Sequence, residues 1–402
     1  MASRLTNGHS TTGAIAIADS SSTSGLRELV LIGGGHAHVL LLRKFGERPL
    51  CNVRVTVISD VAHATYSGML PGHISGVYSR AEMHIDLRRL CRFASARLVH
   101  AKVSGLDLKQ KQVLLADNPS PLSADLISIN AGGTPSMNGV VGAEQWAIPA
   151  KPLPLLLSGW ERAKASAQNT IEPLQIILVG GGAGGVELAL AMHSQIRSKA
   201  RFIIVHRGAR LLPGHNSRVQ SILNKLLQER KLAVITDAAV VEVTPESVRL
   251  DDGRLLAADF VFWVTHAAPP AWLARCGLDA TPEGFVRVKS TLQTINYPWI
   301  FAAGDVIAIE HQKLPRSGVY AVRMANPLGD NLRAYLSGYP LRDYKPQRHS
   351  LSLIGTSDGR AVASYCGLAG HASLFWWWKD WIDRRFMRQF QQLPISLSCR
   401  PD

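Results

Sequence analysis

Apolar positions along the chain fall into two matching blocks. Leu29–Ile32 is a short continuous apolar run that ends in glycines, followed by helix-compatible sequence and a second run, VRVTVI (Val53–Ile58). The same order returns later: QIILV (Gln175–Val179) runs into GGGAGGVELALAMHSQI, and RFIIVHR (Arg201–Arg207) follows. Each block predicts strand, tight turn, helix and a second parallel strand reached by a right-handed crossover. Two such blocks predict two doubly wound α/β units. Near the end, LSLIGTSDGRAVASY alternates around Ser357-Asp358-Gly359 and predicts a hairpin. FWWWKDWIDRRFMRQF (Phe375–Phe390) then predicts a helix with Phe375, Trp378, Ile382, Phe386 and Phe390 on one face and Lys379, Asp383, Arg384 and Arg388 elsewhere.

Composition narrows the picture. At 402 residues there is room for two or three domains. Residues 1–25 are rich in Ser and Thr without an apolar period, so they read as a disordered tail. They lack the apolar core of a secretory signal, while their scarcity of acids keeps a transit-peptide role open. No apolar run is long enough for a membrane-spanning helix. A net charge of +14 favours anionic partners. Nothing matches a nucleic-acid-binding motif, so nucleic acid is not an expected partner. The five cysteines are scattered, with no CxxC pair, which argues against a disulfide framework and suits a reducing compartment.

Gly180, Gly182 and Gly185 satisfy GxGxxG directly after a strand and before a helix. The first glycine makes the turn, the second lets the backbone approach a diphosphate, and the third lets helix and strand pack closely. The helix N-terminus then holds the negative charge. An NAD site usually offers Asp or Glu at the end of the next strand; this chain offers His206 and Arg207, with Arg210 close by. A cation there suits a 2′-phosphate and tilts the reading to NADPH, with NADH left open. Gly33, Gly34 and Gly35 form a similar turn, but His38 stands at its third small position. A metal site built on His36 and His38 fails on geometry, because helix residues two apart point to different sides and no third ligand is evident. No metal is expected.

Further segments sharpen the reading: TLQTINYPWIFAAGDV (Thr291–Val306), NAGGTP (Asn130–Pro135), WVTHAAP (Trp263–Pro269), HATYSGMLPGHISG (His63–Gly76), IPAKPLP (Ile148–Pro154) and GGVELA from Gly184. With the glycine turns, over roughly residues 27–395, these resemble the two-dinucleotide-fold flavoproteins of the pyridine-nucleotide-disulfide oxidoreductase superfamily. Within it the likeness is to type II NAD(P)H dehydrogenases and, closer still, to the flavoprotein module found fused ahead of selenide, water dikinase. The resemblance implies FAD at the first turn (Gly33, Gly34, Gly35, with His36 nearer the phosphates than His38), backed by Gly132 of the crossover. It implies Gly304 and Asp305 at the ribityl chain, Tyr66, Ser67 and Pro71 beside the isoalloxazine, and Ser59 or Asp60 at the adenosine ribose. NAD(P)H falls at the second turn, with Glu187 near the meeting of nicotinamide and flavin, to steer the carboxamide or relay a proton. Lys151 is a candidate flavin or phosphate contact, with a plain surface lysine as the favoured reading. Three departures stand out: Asn130 where Ala is usual, His266 where Gly is common, and His38, whose ring should push helix from strand or turn aside.

The implied fold class is α/β, with two Rossmann-like dinucleotide-binding domains, the NAD(P) domain inserted in the FAD domain, and a small C-terminal α+β region. The boundaries are a tail (1–25), FAD domain (26–150 and 285–342), NAD(P) domain (151–284) and C-terminal region (343–402). The implied activity is hydride transfer from NAD(P)H to FAD, then electron transfer to an acceptor. The flavin performs the chemistry while the protein orients and tunes it. With no close cysteine pair a thiol–disulfide relay is rejected, and neither Cys276 nor Cys366 has a convincing context as a sulfide-handling thiol. A quinone is the leading acceptor. The Phe375–Phe390 helix fits that choice as an interfacial element, aromatic side in lipid and basic residues at headgroups. The other readings of this stripe are docking on the protein's own core or on a second subunit, which leaves a homodimer open. Two further functions stay open: reduction of a soluble selenium or sulfur species, and a flavin-binding sensor or interaction module with little turnover. The reading places the chain in the cytoplasm, with peripheral membrane attachment and organellar import left open.

Overall fold

The computed structural model describes residues 26–395 except 266, 313, 315–317 and 348. The Ser/Thr-rich tail and His266 therefore lie outside the described residues. A first parallel sheet runs, in spatial order, Ile300–Ala302, Leu126–Ile129, Arg27–Ile32, Val53–Ser59 and Arg97–His100. A second runs Ile148–Pro149, Phe260–Trp263, Leu174–Val179, Ala200–Val205 and Ala233–Ile235, again all parallel. Helices cover both faces of such sheets, which is why their central strands read as unbroken apolar runs. Leu29 to Ile32 are at most 2% exposed. Ile300–Ala302 follows the whole second sheet in sequence yet completes the first, so the second unit is inserted into the first.

The first glycine turn accommodates His38 in a way the sequence leaves unseen. The ring neither pushes helix from strand nor swings to solvent. It is fully buried, with Nδ1 2.7 Å from the Gly33 carbonyl and Nε2 2.8 Å from Ser128 Oγ. A carbonyl only accepts, so Nδ1 carries the proton and the Ser128 hydroxyl donates to Nε2. Burial lowers the His38 pKa to about 4, keeping the ring neutral.

The predicted hairpin gains a third strand: Ser352–Gly355, Ala361–Tyr365 and Leu368–Ala372 form an antiparallel sheet. The helix Ser373–Gln391 follows. Ile354 and Val362 join the core of the second sheet with Trp160, Phe202 and Phe262. Met387 and Phe390 join the core of the first with Leu41, Phe45 and Phe301. The C-terminal region thus clamps one nucleotide domain to the other. Burying each such side chain contributes about 1.5–3 kcal/mol.

This docking decides between the open readings of the last helix: most of its predicted stripe packs on the protein's own core rather than facing lipid. Of the five residues predicted to face lipid, Phe390 is buried, Phe375, Ile382 and Phe386 are half-buried, and only Trp378 is exposed. The buried line is Lys379, Asp383, Met387 and Phe390, and the exposed apolar line is Leu374, Trp377, Trp378 and Trp381. A correction concerns the cysteines. Cys51 is disulfide-bonded, against the reading of scattered cysteines in a reducing compartment, while Cys91, Cys276 and Cys366 are free.

Candidate FAD and nicotinamide site

At the first turn Gly33 adopts φ +93°, and a Cβ there would lie 2.5 Å from the Ala131 backbone, so only glycine fits. Asn130, the departure from the usual Ala, secures this turn. Its Oδ1 accepts from the Ala37 and His38 N–H groups (3.1 and 3.3 Å), and its Nδ2 donates to the Ala303 carbonyl (2.7 Å). One side chain therefore ties the first helix, His36–Glu47, to the crossover and to the Gly304–Asp305 segment. The His36 N–H has no hydrogen-bond partner among the described residues, and the first turn of the helix carries no acid.

The His36 ring sits edge-on to Tyr66 (5.6 Å between centroids) and near Phe386 (6.2 Å). Its enclosed Nε2 has no hydrogen-bond partner among the described residues. Burial, reinforced by the Lys151 charge, lowers its pKa to about 4 despite the opposing pull of Asp305. Lys151 Nζ lies 3.7 Å from Asp305 Oδ2, which brings this partly exposed lysine to the edge of the site. Gly132 has open space where a Cβ would stand. The Ser59 hydroxyl donates to the Val61 carbonyl (2.9 Å), which leaves exposed Asp60 as the acid at that strand end. An open helix N-terminus, an unpartnered buried imidazole nitrogen, a nearby lysine and a strand-end acid fit FAD, whose diphosphate wants donors and whose ribose wants a carboxylate.

The second turn shows its three glycines in distinct roles. Gly180 has φ +128°, Gly182 has nothing within 4 Å of where a Cβ would be, and a Cβ on Gly185 would lie 1.9 Å from the Gly180 carbonyl oxygen. The helix Ala183–Ile196 that follows has no side-chain cap and no acid in its first turn, leaving its N-terminus to a diphosphate. His206 is drawn back under the turn, its Nδ1 accepting from the Gly181 N–H (3.3 Å). Arg207 is exposed.

Glu187, on that helix, meets two other parts of the chain. Its Oε1 accepts from the Gly355 N–H (2.8 Å) and lies 4.0 Å from Lys379 Nζ. Lys379 Nζ donates to Asp383 Oδ2 and to the Gly68 carbonyl, both at 2.8 Å. Tyr66 donates its hydroxyl to Asp383 Oδ1 (3.0 Å) and stacks on Phe386 (4.4 Å). The Lys379 and Asp383 side chains are 9% and 5% exposed, so the pair is shielded from solvent screening. Burial lifts the Glu187 pKa to about 7, against the opposing pull of Lys379 and the Gly355 N–H. For Lys379, the attraction of Glu187 and Asp383 outweighs burial and raises the pKa. An acid with a pKa near neutrality can hold or release a proton at physiological pH.

A model of the pyridine nucleotide-disulphide oxidoreductase family matches residues 27–325, well over half of the chain. The chain belongs to this family. Its cofactors are FAD and NAD(P)H. Among relatives, demethylphylloquinone reductase NdbB of Synechocystis is 27% identical over 287 residues, 68% of this chain and 70% of that protein. A type II NADH:quinone oxidoreductase of Haemophilus influenzae is 26% identical over 207 residues, 48% of this chain and 46% of that one. In fold the chain resembles NDH2 of Plasmodium falciparum solved with NADH (TM-score 0.76, 15% identity, 92% of this chain and 99% of that one). It resembles equally the sulfide:quinone oxidoreductase of Aquifex aeolicus (TM-score 0.76, 19% identity, 92% and 93%).

The structure gathers Gly33, Gly34, Gly35, His36, Gly304 and Asp305 at one helix end, and Tyr66 and Glu187 at one junction. Ser67 is exposed. Sequence reasoning missed Lys379 and Asp383, although opposite charges four apart in an aromatic helix are a signal that they neutralise each other inside. It also missed Asn130, whose signal was its departure from Ala.

Proposed function

We propose that this protein passes hydride from NAD(P)H to FAD and then electrons to a quinone. The observation that carries the reading is the enclosed Glu187–Lys379–Asp383–Tyr66 junction, where both nucleotide domains meet the C-terminal helix. Bound flavin supplies the two-electron chemistry. A quinone that takes two electrons also takes two protons, so its reduction needs a proton source beside the flavin. Glu187 holds one such proton near neutral pH. Lys379 anchors both carboxylates, and Tyr66, fixed by Asp383, turns its ring with Phe386 toward His36. The described free thiols offer no relay here: Cys91 is buried in the first core, the Cys276 thiol donates to the Leu273 carbonyl (3.2 Å), and Cys366 is exposed at a hairpin turn. Relatives named as quinone reductases support the acceptor class.

The same reading attaches the protein peripherally to a membrane. Leu374, Trp377, Trp378 and Trp381 recur at helical spacing and are 45–73% exposed, with Arg385 over the Trp381 ring (5.0 Å). Exposed tryptophans beside cations suit the headgroup boundary that a lipid-borne quinone must cross. No helix among the described residues is long and apolar enough to span the bilayer. The test is Glu187→Gln, with the reduced enzyme reoxidised by a quinone or by ferricyanide, which takes electrons without protons. We expect a loss of about 10²-fold with quinone and little change with ferricyanide. Equal rates for both proteins with quinone would overturn the assignment.

A further inference from the structure

The donor end of the site holds charges that hydride transfer leaves unused. We propose that the nucleotide taken at the second glycine turn is NADPH, its 2′-phosphate held by Arg207 and Arg210. This rests on the reading that the turn receives the hydride donor. The strand Ala200–Val205 is locked to that turn, since the Gly180 N–H donates to the Val205 carbonyl (2.9 Å). The next residue is pinned three ways: the His206 N–H donates to Ile235 O (2.8 Å), its carbonyl accepts from the Ala238 N–H (3.3 Å), and its ring accepts from Gly181. The backbone position of Arg207 relative to the turn is thereby fixed, where a carboxylate would otherwise receive the ribose hydroxyls.

Arg207 and Arg210 are both exposed and have no hydrogen-bond or ion-pair partner among the described residues. Arg230, Arg249 and Arg254 of the same domain are paired with Asp358, Glu242 and Asp252, whereas Arg201 and Arg218 are exposed without a side-chain partner among the described residues but do not sit at the strand end facing the turn. Arg210 also opens on a cavity of about 610 Å³ whose lining includes Ser217, Ser221, Asn224 and Thr236, with hydroxyls and an amide that can donate to a phosphate. Two guanidinium forks match a phosphate in charge and geometry, and neither can accept from a ribose hydroxyl. One acid does stand close: exposed Asp237, at the end of the neighbouring strand, donates its N–H to Gly208 O (3.1 Å).

The test compares 2′,5′-ADP with ADP by calorimetry on the FAD-loaded protein, and NADPH with NADH in anaerobic bleaching of its flavin. We expect 2′,5′-ADP to bind ~10-fold or more tightly than ADP, and Arg207→Gln and Arg210→Gln each to remove most of that preference. ADP affinity and the melting temperature should stay unchanged, because both side chains are exposed and unpaired. Added salt should weaken 2′,5′-ADP more than ADP. Equal binding of the two, or a preference that survives both substitutions, overturns the proposal. So does a selective loss of ADP and NADH binding in Asp237→Ala. Preferential bleaching by NADH overturns this inference and leaves the hydride-donor reading standing; a flavin bleached by neither nucleotide overturns that reading itself.

Discussion

Restoring glycine at the third position of the first turn should harm this protein. In His38→Gly the Gly33 carbonyl and the Ser128 hydroxyl, bonded at 2.7 and 2.8 Å, lose their partner in a fully buried place. Each stranded group costs about 1–3 kcal/mol. Glycine inside the helix His36–Glu47 adds roughly a few tenths of a kcal/mol over histidine, itself a poor helix former. The expected destabilisation is therefore about 2–6 kcal/mol, followed as the shift in urea midpoint of the FAD-loaded protein. Removing the hydroxyl as well, in His38→Ala with Ser128→Ala, should recover about 1–2 kcal/mol relative to the sum of the single changes.

The same ring has a pH signature. The unfolded imidazole titrates at 6.5 and the buried one at about 4, so only the unfolded state takes the proton between them. The contribution of His38 is complete above 6.5 and is lost as pH falls toward 4, by about 3 kcal/mol over that window. His38→Gln keeps a side chain able to donate and accept but removes the titration, so its stability should fall less between pH 7 and pH 4.5. A His38→Gly protein as stable as wild type, or equal pH slopes for wild type and His38→Gln, would refute the assigned bonding.

Other outcomes follow from the site. Asn130→Ala, which restores the usual residue, should raise the FAD dissociation constant ~10-fold in a flavin-fluorescence titration, since three hydrogen bonds around the diphosphate turn disappear. Unchanged FAD affinity would remove Asn130 from the binding turn. Glu187 has its folded pKa raised to about 7, so its acid form persists above 4.5 and is lost as pH rises through 7. Reoxidation by quinone should decline above that pH in wild type, and the decline should vanish in Glu187→Gln. Replacing Trp377 and Trp381 by Ser should abolish co-sedimentation with anionic vesicles while leaving ferricyanide turnover intact; retained vesicle binding would detach the membrane reading from this face.

The two parallel sheets were legible because strands buried on both faces leave apolar runs, and because each nucleotide turn needs glycines in set places. His38 was legible only as a conflict. Its resolution lies in Ser128, ninety positions away on the neighbouring strand, and no local pattern announces that partner. The C-terminal helix misled for a related reason. Hydropathy assigns Lys379 and Asp383 to solvent, yet they neutralise each other and reach Gly68 and Tyr66 from the first domain. Burial of a charged pair depends on partners supplied by tertiary structure. The exposed apolar line is Leu374, Trp377, Trp378 and Trp381, of which only Trp378 lies on the predicted stripe.

The central claim concerns the path of electrons from nicotinamide through flavin to quinone, and a single anaerobic experiment tests it. The FAD-loaded protein is mixed with NADPH or NADH while the flavin absorbance is followed, and a quinone is then added without oxygen. The account predicts that one nucleotide bleaches the flavin within seconds and that the quinone restores its colour with formation of the quinol. A flavin that neither nucleotide bleaches, or a bleached flavin that no quinone reoxidises, would contradict it.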